Sequence, residues 1–231
     1  MTTAKPAPKS GGILGNLLFN IAIPVIILSK FSTDAQLGPV WGLVIALCFP
    51  LGFGLWELKN SGKVNFFSVV GIISVLLTGG MGLLQLDPKY IAIKEAAVPG
   101  FIGLLVWFSQ QSKFHLIKTL LENAQLLDMT KLYATLDERQ LRPQFEAKLN
   151  TTNQMLAGSF FFSSLLNYLL AKWILVSPPG TAAFNEELGR MTALSYPVIA
   201  IPSMVLMMAA MWYLFSQIGK LTGKDIETFL N

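Results

Sequence analysis

The chain has 231 residues, 53% of them apolar and only 13% charged, a formal net charge of +4 and a mean hydropathy of +0.55. Soluble domains carry about 25% charged residues, so so apolar a chain cannot hide its side chains in one soluble core and takes lipid as part of its solvent. One cysteine, Cys48, and one histidine, His115, exclude an internal disulfide and a zinc cluster within one chain; no motif calls for a cofactor or metal, and nothing resembles a basic nucleic-acid face.

Residues 1–11 are polar, with Lys5, Lys9, prolines and glycines, and read as a disordered cytoplasmic tail. Six mostly apolar segments follow, at 12–29, 39–58, 65–86, 90–110, 155–176 and 194–218. A span needs roughly 20 such residues, because the hydrocarbon core is about 30 Å thick and a helix rises about 1.5 Å per residue. The expected fold is therefore an all-α membrane protein of about six transmembrane helices. Helices one to four fall within 12–110 and helices five and six within 153–218, with a cytoplasmic loop at 111–152 and a cytoplasmic tail at 219–231. No small-x-small cleavage site follows the first segment, so it reads as a retained helix rather than a signal peptide.

The first segment carries Asn16 and Asn20, one turn apart on one face, followed by Pro24. An amide facing lipid leaves hydrogen-bonding groups unsatisfied, so that face turns into the bundle, either as glue between helices or as a polar lining. Asn167 in the fifth segment is a similar case. The second segment places Gly38, Gly42, Ala46, Pro50 and Gly54 at every fourth position, and the third repeats the pattern with Ser74, Thr78 and Gly82 beside Gly71 and Gly79. Small residues at this spacing let helix backbones approach closely. Packing is the expected role, with a hinge or passage at Gly79-Gly80 and Gly52-Phe53-Gly54 as the alternative.

Asp87, Lys89, Lys94 and Glu95 flank the start of the fourth segment. They are expected as solvated interface charges. If the helix begins before Tyr90, Lys94 and Glu95 lie at membrane depth, where charges pair or line a cavity. Glu186, Glu187 and Arg190 precede the sixth segment with the same ambiguity, and Glu186 and Arg190 stand at helical pairing distance.

The loop at 111–152 is amphipathic: Leu116, Ile117, Leu120 and Leu121 share a helical face, and Leu132, Leu136, Leu141, Phe145 and Leu149 follow. Two or three short helices on the inner membrane surface are expected, or else extensions of helices four and five. Thr135 and Glu138 have capping-box spacing, and Pro143 argues against an unbroken helix unless it occupies a first turn.

Twelve of the 17 Lys and Arg fall on one side: Lys5, Lys9, Lys59, Lys63, six in the long loop, Lys220 and Lys224. That side is cytoplasmic by the positive-inside rule, and an even helix count places both termini there. Trp107-Phe108-Ser109-Gln110 and Leu214-Phe215-Ser216-Gln217 end two helices alike, as repeated hairpins would.

Gly79-Gly80, then an apolar stretch, Asp87 and Lys94, followed in helix five by Phe160-Phe161, Asn167-Tyr168 and Ala171, resemble motifs of the bacterial intracellular septation protein A family. The resemblance covers residues 64–110 and 152–217. It implies a multi-pass protein of the bacterial inner membrane with a non-enzymatic role in cell-envelope maintenance or division, whose partners are the lipid bilayer and envelope-synthesis or division proteins. A homo-oligomer stays open, and the family supplies no catalytic residues. The alternatives are a small transporter or lipid translocator, with Asn16, Asn20, Asn167 and Lys94 as pathway groups, and an intramembrane enzyme acting through Asp87, Glu95 or Glu186. Glu186 and Arg190 complete the candidate substrate-binding set.

Overall fold

The computed structural model describes residues 15, 17–61, 66–110, 121 and 127–230. It is all-helical, 85% helix and without a strand among the described residues. The elements are α1 (Ile23–Lys30), entered through a π-helical turn Leu18–Ala22, then α2 (Gly38–Ser61), α3 (Phe66–Leu83), α4 (Pro88–Ser109), α5 (Met129–Glu138) and α6 (Arg142–Ile174). They are followed by α7 (Ala182–Ser195), a second π-helical turn Tyr196–Ala200, α8 (Ile201–Thr222) and a short 3-10 turn Ile226–Phe229.

Four helical stretches are long and apolar enough to cross a membrane: Gly38–Asn60, Pro88–Ser109, Arg142–Ile174 and Ala182–Thr222. They mark the chain as a membrane protein. The first and third predicted spans correspond to shorter apolar helices, Leu18–Lys30 and Val69–Leu83. Large apolar side chains stand outward along these helices, Trp173 and Trp212 among them, as a lipid-facing surface requires.

The chain divides into two compact units. The first comprises the described residues through Glu95 together with Asn167–Tyr196. Here the small-residue stripe acts as a packing device. A Cβ on Gly42 would collide with Ser32, one on Gly79 with Leu47, and one on Gly82 would stand 2.7 Å from Leu43. Each glycine thus receives a side chain from a neighbouring helix or loop, which supplies the van der Waals contact that lipid cannot replace. α7 packs on α1, with Gly189 against Leu28. Asn185, 1% exposed, donates from Nδ2 to the Pro39 carbonyl at 2.7 Å, so its buried amide is satisfied.

The second unit comprises Ala96–Leu166 and the described residues from Pro197 onward. Gly100 and Gly103 of α4 receive Ser164 and Phe161 of α6. Ser164 donates to the Ala96 carbonyl at 2.7 Å, and buried Asn153 donates to the Val106 carbonyl at 2.6 Å. A dry core joins Leu121, Leu127, Leu132, Leu136, Phe145, Leu149, Leu214, Ile218 and Phe229. Thr228 and Phe229 are tied in: Asp128 N–H donates to the Phe229 carbonyl at 2.7 Å, and Lys131 Nζ to the Thr228 carbonyl at 2.8 Å. Gly223, at φ +63, ends α8 in the left-handed conformation that glycine adopts without steric cost.

Two expectations for the long loop change. Thr135 does not cap a helix; it lies inside α5 and donates to the Lys131 carbonyl at 2.9 Å. The cap is Asp128, whose side chain accepts from Lys131 N–H at 2.9 Å. Pro143 sits in the first turn of α6, where its missing N–H costs nothing. The 33 residues of α6 therefore run unbroken for about 50 Å, longer than a bilayer core. The part at 142–152 is an extension of the fifth helix, while α5 is a separate short one.

Candidate functional site

Within the first unit the helices line a half-open cavity of about 530 Å³, inside the roughly 300–1,000 Å³ range of small-molecule sites. Its apolar wall comes from residues such as Leu47, Phe53, Ile72, Val75 and Met191. Its polar wall comes from Asn20, Glu57, Ser74, Thr78, Lys94, Glu95 and Thr192.

Helix geometry explains the convergence. Pro50, Phe53, Gly54 and Glu57 stand at i, i+3, i+4 and i+7 on α2 and so share one face. Gly71, Ser74, Val75 and Thr78 do the same on α3. Pro24 lacks the N–H that would meet the Asn20 carbonyl, and Pro50 the one that would meet Ala46. Asn20 lies within the π-helical turn that precedes Pro24, an irregularity of the kind that recurs at functional sites.

Lys94 forms the centre of the polar wall. It is 8% exposed, so it is not the solvated interface charge expected from the sequence. Starting α4 at Pro88 carries it a full turn and more into the helix, and from there it reaches the middle of α3. Its Nζ donates to Thr78 Oγ1 at 2.6 Å, Ser74 Oγ at 3.0 Å and Glu95 Oε1 at 2.6 Å, with the Ser74 carbonyl at 3.4 Å. Thr78 in turn donates to the Ser74 carbonyl at 3.1 Å. An ammonium has three N–H groups, and all three are engaged by the protein. Glu95, 24% exposed, uses one carboxylate oxygen for Lys94.

Of the residues singled out from sequence, Asn20, Lys94 and Glu95 meet at the cavity. Asn167 is half-buried and hydrogen-bonding or otherwise engaged, but lies off it. Asp87 is exposed. Its Oδ1 accepts from Lys89 N–H at 2.9 Å and its Oδ2 pairs with Lys89 Nζ at 3.2 Å, contacts that hold its carboxyl below the usual aspartate value. Glu186 and Arg190 are both exposed, and no ion pair joins them among the described residues. Their neighbour Glu187 is the engaged one, accepting Val176 N–H, Ser177 N–H and the Ser177 hydroxyl at 2.9, 2.9 and 2.6 Å. Asn16 lies outside the described residues. The three carboxylates named for an intramembrane enzyme do not converge: Asp87 and Glu186 stand away from the cavity that Glu95 lines.

Glu57 and the cavity role of Ser74 and Thr78 went unread in the sequence. Glu57 had a usable signal, since it is a carboxylate inside the predicted second span and such groups mark functional positions. Ser74 and Thr78 were visible only as small residues.

Fold and site together define the class: a helical membrane protein with a polar-walled cavity inside one of its two units. Comparison of the chain with protein-family models, with curated proteins and with solved structures finds no match.

Proposed function

We propose that the chain is a multi-pass membrane protein that binds an amphipathic molecule in this cavity, as a small transporter or lipid translocator does. The observation that carries the reading is a cavity wall that holds three ionisable side chains, Glu57, Lys94 and Glu95. Charges at membrane depth are costly, and those retained there line pathways and binding sites. A polar wall opposite an apolar one suits a molecule with a headgroup and an apolar body. The proposal includes six membrane helices, both termini in the cytoplasm and residence in the bacterial inner membrane. The lysine and arginine distribution supports that orientation. A role in cell-envelope maintenance or division rests on the septation protein A resemblance and is compatible with traffic of an envelope component.

Gly71 offers a clean test. It lines the cavity, and a Cβ there would meet nothing within 4 Å. Gly71→Trp should therefore set an indole in the cavity mouth with no clash at its Cβ. A deletion strain profiled for growth and envelope stress should be restored by the unaltered gene and not by Gly71→Trp made at equal membrane abundance. Full restoration by Gly71→Trp would sink the cavity reading.

A further inference from the structure

The charges around the cavity indicate which kind of headgroup it takes. Among the described residues that line it, the charged ones are Glu57, Lys94 and Glu95. These are two carboxylates against one ammonium. Lys94 spends its N–H groups on Glu95, Thr78 and Ser74, so an anionic headgroup finds no free donor there. Glu57 is half-buried, and its carboxylate has no hydrogen-bond or ion-pair partner among the described residues. One turn before it on the same face stands Phe53, a cavity residue stacked on Phe19 at 5.7 Å and tilted against Trp56 at 5.9 Å. Among the described residues, a carboxylate without a partner, one helical turn from an aromatic ring and in a cavity lined by two carboxylates and one ammonium, is complementary to a cation.

We infer that the cavity binds an organic cation with an apolar body, its charge against Glu57 and the Phe53 ring, while the Lys94–Glu95 pair is a neutralised structural wall. This rests on the cavity reading above and names its ligand class. The shared chemistry is an ammonium-type cation, whether the headgroup of an amine-bearing lipid or a free lipophilic cation.

Tetraphenylphosphonium and tetraphenylborate are nearly the same shape and opposite in charge. Equilibrium dialysis of the full chain in nanodiscs of digalactosyldiacylglycerol, a bilayer lipid with an uncharged headgroup, with each ion should give saturable binding of tetraphenylphosphonium alone. Glu57→Gln, close in size, should weaken it at least tenfold and Phe53→Leu severalfold, while Glu57→Asp keeps part of it; size-exclusion profiles check that each variant is folded. Gly71→Trp should abolish it. Phosphatidylethanolamine added to the discs should compete if the lipid headgroup is the occupant and leave binding unchanged if the free cation is; either result agrees with the assignment. Saturable tetraphenylborate binding that Gly71→Trp removes would overturn the cation assignment and keep the cavity reading. Tetraphenylphosphonium binding unaffected by Glu57→Gln and Phe53→Leu would overturn the placement at Glu57. Saturable binding of neither ion would overturn the cation assignment and leave the Gly71→Trp complementation result to decide the cavity.

Discussion

Both units satisfy a buried amide on a helix carbonyl, Asn185 in the first and Asn153 in the second, but they differ in what surrounds their other polar groups. In the second, Asn153 and Ser164 each donate to a carbonyl of α4, Asn153 with the Ser109 hydroxyl also beside it, and the core from Leu121 to Phe229 is apolar. In the first, a lysine, two glutamates, an asparagine and three hydroxyl-bearing residues surround open volume. A polar group that only needs satisfying takes one short bond and closes the gap around it. A polar cluster left around a cavity stays exposed to whatever enters. The difference separates polar groups that only hold helices together from polar groups that also border a cavity.

The largest expected effect breaks the packed side of this contrast. Phe229→Ala removes a ring that is fully buried in the second unit's core, and should lower stability by about 3–5 kcal/mol in detergent unfolding. A loss under about 1 kcal/mol would mean that the core is not closely packed.

Next comes the charged wall. Lys94→Met leaves Glu95 without its partner; breaking a fully buried pair costs about 3–5 kcal/mol, and Glu95's partial exposure places the loss near the lower end. Lys94→Met combined with Glu95→Leu should recover most of it, and a double-mutant cycle with no coupling would show that the pair is not formed. Gly79→Leu, which must displace Leu47 from the helix contact, should cost about 1–3 kcal/mol.

Val75→Ala sharpens the contrast from the other side. Its side chain faces open volume, so truncation should cost about 1 kcal/mol or less, well below the Phe229 effect. Asp87 should contribute least, because the Lys89 contacts that lower its pKa are at the surface. A depressed folded pKa gives stability that is present above the unfolded aspartate value near 3.8 and lost as pH falls below it. Asp87→Asn should therefore flatten a small acid-side slope below pH 4 and leave neutral stability nearly unchanged.

Membrane character, helicity and the glycine contacts were legible in the amino-acid order, because they rest on local quantities. Apolar run length sets spans, and four-residue spacing sets which small residues share a face. Asn20 stood out for the same reason, as an amide in an apolar run, and it lines the cavity. The site was only partly legible. Lys94 reads as an interface charge when counted from its own helix, and becomes a buried group because Ser74 and Thr78 of another helix accept its hydrogen bonds. Glu57 reads as the end of a span until Phe53, Lys94 and the gap beside them are in place. Ion pairing, cavity volume and which carboxylate has no partner among the described residues depend on which residues distant in the chain come within about 3 Å, and helix packing alone decides that.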